Sequence, residues 1–207
     1  DALSAYREAL KAYVTLAERA PGKTGPQHDL SVSHIKIGAV LRELGCLREA
    51  LDEYRKAQFI LERVTGNTPG DSGSRRDLAL NHIKIGEVLR ELGKLGEALT
   101  SFRKAYSLLE QLTAASPKNT AWLSDLAYSH NCIGDALREL GSLGEALQAH
   151  RQALAVREKL ARDDPRNADL QSGLAASHTN IGEILLELGR REDALATFRQ
   201  AFGIRER

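Results

Sequence analysis

The sequence has no methionine, two cysteines, one tryptophan and five prolines among 207 residues. Cys46 and Cys132 are too few for a disulfide framework, and their scarcity fits a reducing compartment, so a cytoplasmic location is expected. Lysine plus arginine number 29 against 28 aspartate plus glutamate, a formal charge of +1. A balance that close gives no electrostatic drive toward nucleic acid or an anionic membrane, and neither is expected as a partner. No apolar run approaches the roughly 20 residues that span a bilayer. The sequence also lacks a glycine-rich phosphate loop, a nucleophile elbow and an HExxH pair, so neither enzyme chemistry nor a cofactor is expected. The missing Met, with ends that fall inside helical patterns, leads us to expect a fragment of a longer chain.

What the sequence does contain is a repeat. DLSVSHIKIGAVLRELG from Asp29, DLALNHIKIGEVLRELG from Asp77, DLAYSHNCIGDALRELG from Asp125 and GLAASHTNIGEILLELG from Gly173 align without a gap, 48 residues apart. Pro21, Pro69, Pro117 and Pro165 keep the same register. Fixed-period similarity of this kind marks stacked supersecondary units. Each unit reads as two helices. In the first, Leu30, Ile37, Leu41 and Leu44 fall on one face, and Gly45 follows as a C-terminal stop. In the second, Leu47, Ala50, Leu51, Tyr54, Ala57 and Leu61 share a face, and an acidic residue (Glu49, Glu97, Glu145 or Asp193) stands in the first turn. Asp71, Asn119 and Asn167 read as N-caps of the next first helix. The opening segment with Ala2, Tyr6 and Ala9 reads as a second helix without its partner.

The spacing Gly38, Gly45, Ala50, Tyr54, Ala57 recurs as Gly86, Gly93, Ala98, Phe102, Ala105, then Gly134, Gly141, Ala146, His150, Ala153, then Gly182, Gly189, Ala194, Phe198, Ala201. On these residues the chain resembles the tetratricopeptide repeat family, in a long form nearest in style to kinesin-light-chain-like bacterial arrays. His150 departs from the family's aromatic, and His34, His82, His130 and His178 replace the aromatic early in the first helix. The family repeat is about 34 residues. The excess splits about evenly between the two helices, so each is expected to be about two turns longer than usual.

The resemblance implies an all-α solenoid, a right-handed superhelix of antiparallel helix pairs with about nine helices. Residues 1–20 would be the orphan second helix, followed by repeats at 21–68, 69–116, 117–164 and 165–207, all in one solenoid domain. It also implies a protein-protein interaction scaffold whose first helices line a concave groove that takes a peptide or partner helix. The residues expected on that face are Val32, Ile35, Lys36, Leu80, Ile83, Lys84, Glu87, Tyr128, Asn131, Asp135, Asn180 and Glu183. Cys132 and Trp122 also break the period there or nearby. Two readings of the apolar strip Val32, Ile35, Leu80, Ile83 and Tyr128 stand at this point: a binding surface rimmed by charge, or packing between neighbouring first helices. A clamp of Lys, Asn and Arg around a C-terminal carboxylate is not expected, because Glu87 and Asp135 stand where some family members carry Asn.

The periodic polar residues read as architecture. One histidine per repeat, on helices about 8–10 Å apart, cannot converge on an ion, so no metal site is expected and His34, His82, His130 and His178 read as half-buried, hydrogen-bonded groups. Arg7, Arg55, Arg103, Arg151 and Arg199 read as a solvated outer stripe, and Cys46 as an exposed turn residue. The alternative function is a sensor or regulatory arm of a larger signalling NTPase or protease whose catalytic part is absent. Repeats need covered ends, so end-to-end self-association is expected.

Overall fold

The computed structural model describes residues 2–19 and 23–206, with side chains from residue 4 onward. Pro21 and the side chain of Ala2 lie outside the described residues. Among the described residues there are nine α-helices and no strand, an all-α solenoid-class fold of consecutive helix pairs. After α1 (Ala2–Arg19) come the first helices α2 (Thr24–Glu43), α4 (Ser72–Glu91), α6 (Thr120–Glu139) and α8 (Ala168–Glu187). They alternate with the second helices α3 (Leu47–Asn67), α5 (Leu95–Ala115), α7 (Leu143–Asp163) and α9 (Arg191–Arg205). Both sets start at 48-residue steps. The first helices have 20 residues and α3, α5 and α7 have 21, about 30 Å at 1.5 Å per residue.

Local chemistry sets the helix ends. The Asp71 carboxylate accepts from the backbone N–H groups of Gly73 and Ser74, Asn119 from Trp122, and Asn167 from Asp169 and Leu170. These caps satisfy amides that have no partner inside the helix. At the other end, Gly93 adopts φ 74°, and its N–H donates to Arg90 O while that of Lys94 donates to Leu89 O. This pair of bonds closes the helix and needs a left-handed residue, which glycine supplies without strain. Gly45, Gly141 and Gly189 repeat it. The turn into the second helix is therefore short, and the two helices of a pair lie back against each other.

The chain forms two compact units, Asp1–Leu108 and Leu109–Arg207. In unit one α1 packs on α2, α2 on α3 and α3 on α4, with α2 also touching α4. In unit two α6 packs on α7, α7 on α8 and α8 on α9. Ala50, Leu51, Tyr54, Ala57 and Leu61 of α3 are buried, and Leu47 is half-buried. On α2, Ile37 and Leu41 are buried and Leu30 is half-buried. Leu44 corrects the expected core face: it is 62% exposed. It is the C-cap residue, where the chain leaves the helix toward Gly45, so its side chain falls beyond the packed turns. Cys46 is half-buried rather than exposed, at the N-cap of α3.

The Gly–aromatic spacing has a steric basis. A Cβ on Gly86 would lie 2.4 Å from Phe102, and one on Gly38 2.8 Å from Tyr54. Only a residue with no side chain lets the ring seat on the facing helix. Gly134 and Gly182 receive His150 and Phe198 in the same way. Burial also pushes the Tyr54 hydroxyl up to about 12, so it stays neutral in the core.

Candidate partner-binding site

The first helices carry every residue expected on the partner face. In unit one, Val32, Ile35, Leu80 and Lys84 are half-buried and Lys36 is exposed. Lys36 Nζ stands 5.8 Å from the centre of the Tyr6 ring, within cation–π range. Ile83 is 2% exposed, which removes it from the expected surface. Ile83 belongs to the core, while Leu80, one turn earlier, keeps a solvent edge.

Unit two differs. Tyr128 is 45% exposed, and Asn180 is half-buried. Asn131 is 7% exposed and turns inward to His150 and Arg157, so it too leaves the expected surface. Cys132 is buried. Asp135 is half-buried, with Oδ1 3.4 Å from His150 Nε2.

The acidic members of the expected set are already engaged. Arg42 Nη1 donates to Glu87 and Arg42 Nε to Glu91 Oε1 at 2.8 Å, joining α2 to α4. In unit two Arg138 Nη1 donates to Glu183 Oε2 at 2.7 Å and Nε to Glu187 Oε1 at 2.7 Å, joining α6 to α8. Burial works against the charge of Arg42, but the bonds to Glu91 and Glu87 outweigh it and raise its pKa. Hydrogen bonds to Glu187 and Glu183 raise that of Arg138. These forks fix neighbouring first helices in register. Their signal is present in the sequence as LRELG at Leu41, Leu89 and Leu137 against Glu pairs four residues apart, but the partners lie 45 and 49 residues away. In the fourth repeat Leu186 replaces the arginine.

The four in-register histidines are buried. His34 Nδ1 is 2.6 Å from Glu53 Oε2 on α3. Burial raises the Glu53 pKa, but bonds from Lys56 and His34 outweigh it and hold the carboxyl below its ordinary value. Burial depresses His82, His130 and His178, keeping them neutral. His178 departs from the expected hydrogen bonding, because its Nδ1 has no partner in the described structure. Among the described residues no three His, Cys, Asp or Glu side chains gather as metal ligands do, and no helix is long and apolar enough to cross a membrane. The outer arginines Arg7, Arg55, Arg103, Arg151 and Arg199 are exposed as expected.

Tetratricopeptide repeat models match residues 125–207 and residues 81–111. No curated protein matches the sequence. Among solved structures, MamA is 16% identical with a TM-score of 0.60, over 97% of this chain and 89% of its own. Apo RapI is 14% identical with a TM-score of 0.69, over 97% of this chain and 48% of its own. The Rap conjugation gene regulator of the plasmid pLS20, solved in complex with the Phr* peptide, is 20% identical with a TM-score of 0.60, over 86% of this chain and 43% of its own. The chain thus spans less than half the length of the two Rap proteins. At these identities the likeness is one of fold. The family matches together span more than half of the chain, and they fall on the helix pairs whose Gly–aromatic contacts were described above: the chain belongs to the tetratricopeptide repeat family.

Proposed function

We propose that the chain is a non-enzymatic protein-interaction module that receives a peptide or partner helix against its first helices, in a groove they line. The observation that carries this reading is the mixed face of α2 and α4 in unit one. Val32, Ile35 and Leu80 expose apolar edges beside Lys36 and Lys84, while Glu87 and Glu91 are held by Arg42. Such a face suits a segment with apolar anchors and acidic neighbours. Family membership supports it, as does the peptide-bound Rap protein of like fold. Tyr128 and Asn180 offer a second, less basic surface in unit two.

The test is a displayed-peptide selection against the wild-type chain, followed by affinity measurement on Leu80→Asp/Lys84→Glu. Ile83 is left intact because its burial would turn a charge there into unfolding. The expected result is at least about tenfold weaker binding, roughly 1.4 kcal/mol, with an unchanged melting curve. Undiminished binding by the variant removes this face from the reading.

The reading includes self-association. Leu51, Leu99 and Leu147 are buried, but their counterpart Leu195 is 51% exposed, and Phe202 on the same helix is also exposed. Light scattering should show mass rising with concentration in the wild type and not in Leu195→Glu. A constant monomer mass in both contradicts it.

A further inference from the structure

The largest departure from the repeat is polar and lies in unit two. Where one period earlier the chain has Ile83, Phe102 and Leu109, it has Asn131, His150 and Arg157. His150 is 1% exposed and Arg157 is half-buried. Arg157 reaches across from α7 to α8, where Nη1 donates to Ser177 Oγ at 2.6 Å and to Gly173 O at 3.1 Å. A guanidinium donates only to an acceptor, so the Asn131 amide turns its oxygen toward it and accepts from Nη1 at 2.8 Å and Nη2 at 2.6 Å. The Asn131 NH2 then donates to His150 Nδ1 at 3.3 Å, and His150 Nε2 faces Asp135. Every acceptor that Arg157 binds is neutral. Its Nε–H has no hydrogen-bond partner among the described residues. Burial lowers the pKa of the guanidinium, against the opposing fields of Cys132 and Asp135. The field of Asp135 opposes its charge, but no acidic group is hydrogen-bonded to it among the described residues.

A second departure meets the first. Gly173 stands where the other repeats have Asp29, Asp77 and Asp125. In unit one that position is occupied chemically: Asp77 Oδ2 lies 2.6 Å from His28 Nε2. A Cβ built on Gly173 would meet only Arg157, at 3.6 Å from Nε and 3.8 Å from Cδ, which is ordinary contact. There is room for a side chain beside the guanidinium, and the open place adjoins the unused Nε–H.

We propose that the space over Gly173 is a receptor for a carboxylate carried by a ligand, held by Arg157 in the position where an aspartate stands in the other three repeats. Asn131, Ser177 and the Gly173 carbonyl hold the guanidinium in place, and His150 holds Asn131. The bond formed is charge-assisted and of the short, strong kind. The inference assumes nothing about the partner face proposed for unit one.

The probe is sodium acetate, with sodium chloride at matched ionic strength as control, read by the NMR resonances of the Arg157 Nε–H and the Gly173 amide. Acetate should shift both saturably, chloride should not, and Arg157→Leu should abolish the Gly173 response. N-acetylaspartic acid α-amide and N-acetylalanine then separate an acidic side chain from a chain terminus as the source. Gly173→Asp should supply the carboxylate internally. It should lose the acetate response and melt about 2–4 °C above the isosteric Gly173→Asn, an advantage that vanishes on Arg157→Leu. No acetate shift beyond that of chloride, or an Asp variant that melts no higher than the Asn variant, overturns the proposal. If Gly173→Asp fails to fold, the wild-type titration decides alone.

Discussion

Single residues do two kinds of work here, and both are testable. Gly86 admits the Phe102 ring at a distance where no Cβ fits. Gly86→Ala should destabilise the chain by about 1–3 kcal/mol through overpacking, although alanine is the better helix former. Urea unfolding measures it; a neutral or stabilising result means the ring seats elsewhere. The histidines act through protonation. His82, His130 and His178 have folded pKa values below the ordinary 6.5, lowered by burial. The unfolded chain therefore binds protons first, so stability is complete above about pH 6.5 and falls as pH drops through the folded values. Glu53, depressed from 4.5, adds a further loss at lower pH. The melting midpoint should be flat from neutral upward and decline through mildly acid pH, and His82→Gln should flatten part of that decline. A midpoint that rises on acidification contradicts it.

Elements are joined by features that differ in how visible they are from sequence. Caps and stops were legible because they act within four residues: Asp71, Asn119, Asn167 and the four left-handed glycines stand where the pattern puts them. The inward face of the second helices was legible for the same reason. Contacts between first helices were not. Helical periodicity assigns Ile83 and Asn131 to the face away from the second helix, yet Asn131 meets His150 and Arg157 of α7, its own second helix. The structure buries both. The Arg42 fork to Glu87 and Glu91 spans 45 and 49 residues, beyond any local pattern. Arg42→Gln should cost about 1 kcal/mol at low salt, and less at high salt where such pairs are screened. A loss that is independent of salt would mean Arg42 acts by packing alone.

At the scale of the whole chain, the 48-residue step of helix starts is the organising fact. In repeat arrays each unit is stabilised chiefly by its neighbours. Deleting residues 72–119, one period, joins Asp71 to α6 and keeps every cap in register. Circular dichroism should show unchanged helicity per residue with a cooperative, lower-melting transition; a non-cooperative melt contradicts the period. What the sequence left open at this scale was which part of the first-helix surface is available. Solvent edges survive at Val32, Ile35, Lys36, Leu80 and Lys84 in unit one, and the acidic residues nearby are taken by Arg42. The most direct test of the account is hydrogen exchange on the wild-type chain with and without a selected peptide. Binding at the proposed face slows exchange in α2 and α4 and leaves α3 unchanged, whereas protection concentrated in α3 would contradict it.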